Sequence, residues 1–282
     1  MKSLSDSYTL SNGVKIPCVG FGTWQTPDGP TAVAAVKEAI AAGYRHIDTA
    51  QMYENESSVG RAVRESDLPR SELFITSKLA NPEHGYDETM AAFEGTMRRL
   101  EMDYLDLFLV HWPNPAATRE RWREANAGTW RAFEELYAAG RVRAIGVSNF
   151  RSHHFNALFE TARLTPQVNQ ILLCPGETQD GVRAYCDERG ILLEAYSPLG
   201  TGRALGDPTL ASVAAKYGKT PAQICINWCL RRGWLPLPKS VTPARIRENA
   251  DVFDFELSDD DADVIASVDL GIKAMDPDTM PF

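Results

Sequence analysis

Four side chains, Asp48, Tyr53, Lys78 and His111, have the types and spacing to share one chemical task. Asp48, Lys78 and His111 each end an apolar run, and Tyr53 follows Asp48 by five residues, in the turn beyond it. A lysine buried at such a place needs a counter-charge or it tends to lose its proton, and Asp48 is placed to supply one. A persistent ammonium beside Tyr53 stabilises the phenolate and is expected to draw its pKa down from the usual value of about 10. A phenol tuned in that way is a usable general acid, and a neutral His111 would orient the substrate oxygen by donating a hydrogen bond. Together the four would protonate an oxygen that is gaining negative charge. Hydride delivery to a carbonyl carbon creates such an oxygen. No amino-acid side chain donates hydride, so a nicotinamide cofactor is the natural source.

These residues must be held by a scaffold, and the chain announces one. Eight apolar runs recur at near-regular intervals: CVGFGT (18–23), RHID (45–48), LFITSK (73–78), LDLFLVH (105–111), VRAIGVSN (142–149), QVNQ (167–170), ILLEAY (191–196) and WLPLPK (234–239). Helical periodicity fills 30–42, 56–66, 86–100, 124–139, 151–162, 177–189 and 221–232, with further helices near 243–249 and 258–267. Strand and helix in alternation imply a parallel sheet, and eight such units imply a closed (β/α)8 barrel of the TIM type. Its chemistry belongs at the C-terminal ends of the strands, where Asp48, Lys78, His111, Ser148 with Asn149, Gln170, Tyr196 and Lys239 fall. TLSNGVKIP (9–17) is predicted to form a hairpin with a type I′ turn at Asn12-Gly13, plugging the N-terminal end of the barrel. The stretch from Gly271 to Phe282 has no clear period and reads as a frayed end or a flap over the barrel mouth.

Length and composition narrow the classes. The 282 residues, 44% hydrophobic and without a Pro/Gly/Ser-rich linker, fit one barrel domain spanning 1–282. A net charge of −9 argues against non-specific nucleic-acid binding, which depends on Lys and Arg displacing counterions. No apolar stretch is long enough to span a membrane, and the N-terminus lacks a signal-peptide core, so a cytoplasmic location is expected. The five cysteines include no CxxC pair, and Cys225 with Cys229 reads as ordinary core.

The stretches GFGTWQ (20–25), GYRHIDTAQMYENESSVG (43–60), LFITSKL (73–79), DLFLVHWP (106–113), GVSNF (146–150), YSPLG (196–200) and PKSVTPARIRENADVFDF (238–255) resemble the aldo-keto reductases. Within them the chain is similar to the bacterial branch that includes 2,5-diketogluconate reductases. The resemblance covers about residues 9–268. It implies that Asp48, Tyr53, Lys78 and His111 are the catalytic quartet, with Tyr53 as proton donor, in an NADPH-dependent reduction of aldehydes or ketones. It also implies that Ser148, Asn149 and Gln170 hold the nicotinamide carboxamide and that Tyr196 stacks on its ring, flanked by Ser197 and Leu199. The glycine-rich GTGRALG (200–206) would be a flexible loop near the pyrophosphate. Lys239, Ser240 and Arg245 match the grip on the 2′-phosphate of NADP, for which a forked guanidinium is suited, Val241 matches a further cofactor contact, and Glu248 and Asn249 match adenine contacts. Trp24 and Trp112 resemble pocket-lining residues, and a monomer is the usual family state.

Two other classes fit less well. His46 and Asp48, two residues apart, have the spacing of metal ligands in a barrel hydrolase, but such a site needs further ligands and the chain has only five histidines. A regulatory subunit of the same fold would not need all four catalytic types, and no long docking arm is present. The family pattern thins at VNQILLCPGETQ (168–179), where Leu172 and Cys174 stand in place of polar residues. Substrate choice is expected to lie in the loop at 113–129 and in the tail.

Overall fold

In the computed structural model, which describes residues 1–282, eight parallel strands pair in chain order. They are β3 (Gly20–Gly22), β4 (His46–Asp48), β5 (Phe74–Leu79), β6 (Leu105–Val110), β7 (Val142–Ser148), β8 (Val168–Leu172), β9 (Leu192–Tyr196) and β10 (Leu235–Leu237). The seam between first and last is bridged where Gly22 N–H donates to Pro238 O at 3.0 Å. Each apolar run thus yields its strand, in some cases only its central residues. Around the strands lie α1 (Pro30–Ala41), α2 (Glu56–Arg64), α3 (Tyr86–Leu100), α4 (Trp122–Ala138), α5 (Ser152–Phe159), α6 (Asp180–Asp187), α7 (Pro208–Tyr217), α8 (Pro221–Arg231), α9 (Pro243–Ala250) and α10 (Asp259–Ser267).

Alternate residues along each strand face inward, and the register sorts them into layers. Nearest the N-terminal end is an apolar layer that includes Phe74, Leu107, Ala144, Val168 and Leu235. Above it the interior turns polar: His46, Asp48, Thr76, Lys78, Gln170 and Glu194 are all buried. Gly20 makes room for this layer, because a Cβ there would lie 2.6 Å from His46 Nδ1. The bottom is closed by β1 (Ser7–Thr9) and β2 (Lys15–Pro17); Ile16 of β2 and Leu10, just after β1, pack into the apolar layer.

The hairpin turn differs from the type I′ expectation. Gly13 alone has a positive φ, 84°, and its N–H donates to Leu10 O, so the turn runs through Ser11 and Asn12 and ends in a left-handed glycine. Asn12 is spent on its side chain instead, accepting from Val14 N–H and donating to Arg143 O.

Three further corrections concern helices and loops. α7 was not anticipated, although Asp207 caps it by accepting from Leu210 N–H at 2.8 Å and Gly218 ends it. The unit between β9 and β10 simply carries two helices. GTGRALG, expected as a flexible loop, has local structure: it is a 3-10 segment, Gly200–Gly206, kinked at Thr201 and Gly202, with Arg203 donating to Leu270 O and Gly271 O. The helix expected from 177 begins at Asp180, because Cys174 and Glu177 form a bridge that uses the preceding residues. Leu172 and Cys174 are buried there among apolar side chains. No helix is long and apolar enough to cross a membrane.

Candidate active site

At the C-terminal ends of the strands the polar layer opens into a cavity of about 570 Å³. Lys78, fully buried near the end of β5, lies just beneath its floor. Lys78 Nζ donates to Asp48 Oδ1 at 2.6 Å, to Thr49 O at 2.9 Å and to the Tyr53 hydroxyl at 3.2 Å. Tyr53 sits in a short 3-10 turn, Gln51–Tyr53, that follows β4, and its ring meets that of His111 edge to face at 5.7 Å. One ammonium is therefore the hub of the cluster.

Electrostatics follow from burial. Desolvation lowers the Lys78 pKa, but Asp48 and Tyr53 more than offset it, and the pKa stands above the ordinary lysine value. His111 is held neutral, its pKa pushed well down by burial and by the Lys78 charge. Tyr53 departs from expectation: burial raises its pKa, and Lys78 only limits the rise. The phenol is thus fully protonated at neutral pH, the form a proton donor requires. His111 Nδ1 is buried without a partner, which leaves Nε2 as the ring nitrogen on the cavity side.

The opposite wall is a second network. Asn149, in a left-handed backbone conformation with φ of 62°, donates to His111 O and to Ser148 Oγ, and its Oδ1 accepts from the Tyr196 hydroxyl at 3.0 Å. Ser148 Oγ donates to Gln170 O. Gln170 reaches across the barrel from β8 to Asp48 Oδ2, at 2.9 Å, so the two networks share one carboxylate.

A family model described as the aldo/keto reductase family matches residues 18–270. The chain belongs to the aldo/keto reductase family. It is 47% identical to the glyoxal reductase of Bacillus subtilis over 93% of this chain and 92% of that one. It is 42% identical to 2,5-diketo-D-gluconic acid reductase B of Corynebacterium sp., over 96% of each. Among solved structures, a mutant of Gox0644 in complex with NADPH superposes with a TM-score of 0.89 at 39% identity, covering 98% of this chain and 99% of that one. As an aldo/keto reductase the protein is an oxidoreductase, and its barrel is that of its structural relatives.

Within this aldo/keto reductase the cavity gathers most of the residues picked out from sequence: Asp48, Tyr53, His111, Ser148, Asn149, Gln170, Tyr196, Ser197, Leu199, Lys239, Trp24 and Trp112. Lys78 lies directly beneath. Trp24 is half exposed, whereas Trp112 is buried and packs edge to face on Phe282 at 5.6 Å. Ser240, Val241, Arg245, Glu248 and Asn249 lie beyond the cavity wall, on the loop after β10 and on α9. Arg245 is exposed and has no ion-pair partner, while Glu248 accepts from Thr220 and Asn249 is buried. His46 Nε2 is paired with Thr76 Oγ1, and both oxygens of Asp48 accept from N–H donors, so these two do not present a metal ligand set.

The cavity wall also includes Gln25 and Met52, which carry no sequence signal of their own, together with Leu205 of the GTGRALG segment and Met275 and Phe282 of the tail, where a frayed end or a flap over the mouth is expected. Met275 and Phe282 lie on the tail, which folds over the mouth and is fastened at several points. Asp276 pairs with Arg151, and Asp278 meets Asn114, His153 and His154 at 3.1, 3.1 and 2.9 Å. Burial keeps His154 neutral, its pKa down at about 4, so its contact with Asp278 is a charge-assisted hydrogen bond rather than an ion pair. No periodic pattern marks such a segment; its only signals were the two apolar side chains and two aspartates.

Proposed function

We propose that the chain, read as one (β/α)8 domain over 1–282, reduces aldehydes and ketones to alcohols with NADPH, Tyr53 donating the proton. The observation that carries this reading is the Tyr53 hydroxyl at 3.2 Å from a Lys78 ammonium that Asp48 clamps at 2.6 Å, at the floor of a cavity that also holds neutral His111.

The wall fits a dinucleotide. Gln170 Oε1 has no donor within the protein, Lys239 stands half-buried in the cavity, and the unpaired Arg245 guanidinium lies beside the first turn of α9. A helix N-terminus with an arginine suits a phosphate. Ser148, Asn149 and Gln170 would face the carboxamide and Tyr196 the ring, with Ser197 and Leu199 alongside. Lys239, Ser240 and Arg245 would hold the 2′-phosphate, with Val241 beside them, and Glu248 and Asn249 the adenine. Bound there, the reduced nicotinamide supplies hydride to the carbonyl carbon.

The chain's own residues do the rest. His111 Nε2 donates to the substrate oxygen and orients it. The Tyr53 O–H bond breaks as its proton passes to that oxygen, and the phenolate left behind is stabilised by Lys78, whose charge Asp48 maintains. Trp24, Trp112, Met275 and Phe282 enclose the substrate and limit water. Two relatives carry names for dicarbonyl substrates, so α-dicarbonyls and keto-sugars head the substrate class.

The direct test follows NADPH oxidation against reactive aldehydes, diketones and keto-sugars, with NADH and a chelator in parallel. Chelator-insensitive turnover that prefers NADPH supports the reading. NADPH binding, seen as quenched tryptophan fluorescence, without turnover of any carbonyl would overturn the catalytic half of it.

A further inference from the structure

Glu194 is fully buried in the middle of β9, away from the cavity surface, and the proposed mechanism gives it no part. It stands opposite Gln170 in the parallel register of β8 and β9. Gln170 Nε2 donates to Glu194 Oε2 at 2.8 Å and to Asp48 Oδ2 at 2.9 Å. A primary amide has two N–H bonds, and both are now used. β4 and β8 lie on opposite walls of the eight-stranded barrel, so the Gln170 amide is strung between a carboxylate on its neighbour strand and one across the interior.

The consequence is directional. Turning the amide over would set its carbonyl oxygen against the Asp48 carboxylate and give up the hydrogen bond to it. Oε1 is therefore fixed on the cavity side, where no protein donor reaches it. The neighbouring polar groups are already engaged: Asn149 Oδ1 accepts from Tyr196, and Ser148 Oγ donates to a main-chain carbonyl. Gln170 Oε1 is the free acceptor of this wall.

We propose that Glu194 is a positioning residue: with Asp48 it locks the Gln170 amide so that Oε1 accepts a hydrogen bond from the amino group of the cofactor's carboxamide. This rests on the cofactor reading above and adds to it a residue outside the cavity wall. Glu194 need not be ionised for this task. Burial and the Asp48 charge push its carboxyl pKa up to about 8, and the carbonyl oxygen of the protonated acid accepts equally well from Gln170.

The test compares dissociation constants for NADP and for its 3-acetylpyridine analogue, whose methyl ketone can accept but not donate, by tryptophan quenching. Wild type should favour NADP by about two- to tenfold, the range of one neutral hydrogen bond. In Glu194→Met, which removes the acceptor while keeping the volume, the ratio should fall close to one. In Glu194→Gln, whose amide oxygen still accepts from Gln170, it should remain near the wild-type value. A merely loosened barrel would weaken both ligands alike and leave the ratio unchanged. A wild-type ratio in Glu194→Met, or its loss in Glu194→Gln, overturns the positioning role alone. A wild type that does not distinguish the two ligands overturns the assignment of Gln170 to the carboxamide, and the positioning role with it.

Discussion

Lys78 Nζ donates to the Tyr53 hydroxyl at 3.2 Å and lies 4.7 Å from the centre of the same ring. The ammonium is therefore placed to stabilise a phenolate both at its oxygen and over its π face. Because burial still holds the phenol protonated, the lysine acts mainly after the proton has left, on the product of transfer. That division of labour separates the two residues experimentally.

Tyr53→Phe should lower carbonyl reduction by about 10²–10⁴-fold, the usual worth of a positioned acid. The hydroxyl is distant from the proposed phosphate and adenine contacts, so NADPH affinity should stay within about twofold. Steady-state rates together with a fluorescence titration check both; near-wild-type turnover would remove Tyr53 from its role.

Lys78→Met should cost stability as well as rate. It leaves Asp48, only 3% exposed, as a buried charge without its cation, a loss on the order of 3–5 kcal/mol. The double change Asp48→Leu with Lys78→Met should recover much of that stability while remaining inactive. Urea denaturation of the single and double variants measures the difference.

Stability should depend on pH through Glu194. An unfolded glutamate loses its proton near its ordinary value of about 4.3, whereas the folded one keeps it up to about 8. Between these pH values the unfolded state binds fewer protons, so folding stability falls as pH rises and levels off above 8. Glu194→Gln cannot ionise. Its melting temperature relative to wild type should therefore be higher at pH 8 than at pH 5, read by thermal scans at both.

Arg245→Ala should weaken NADPH more than NADH. The guanidinium is exposed, so screening holds the loss near the low end for a charged hydrogen bond, about 1.5 kcal/mol or roughly tenfold. Dissociation constants for both dinucleotides decide it; equal losses would show that Arg245 does not read the 2′-phosphate.

Asp278→Ala should raise KM for the carbonyl substrate by about fivefold, as an order of magnitude for a lost polar anchor, with NADPH affinity unchanged. Asp278 joins the loop after β6, through Asn114, to α5, through His153 and His154, and carries Met275 and Phe282 with it. Kinetics with carbonyl and cofactor varied separately test the split.

Much of the barrel could be read from the chain because its signals are local. Most of the apolar runs end in a residue that meets the cavity, among them Asp48, His111, Asn149, Gln170, Tyr196 and Lys239, so strand number, strand order and much of the site are legible together. What escaped was non-local. Nothing near Glu194 marks it as the strand neighbour of Gln170 and, through it, a partner of Asp48, since those pairings span 24 and 122 residues. α7 was hidden by the assumption of one helix per unit, even with its Asp207 cap. For the Tyr53 pKa, a sequence shows the neighbouring cation but not the depth of burial that outweighs it.

The way the tail ends bears on how the protein should be handled. Ala116 N–H donates to Phe282 O at 3.2 Å, and the Phe282 ring rests on Trp112 in the cavity wall. An affinity tag fused after Phe282 would start at the lip of the substrate cavity and compete with that docking. A tag placed before Met1 would lie beside the hairpin at the far end of the barrel, away from that docking.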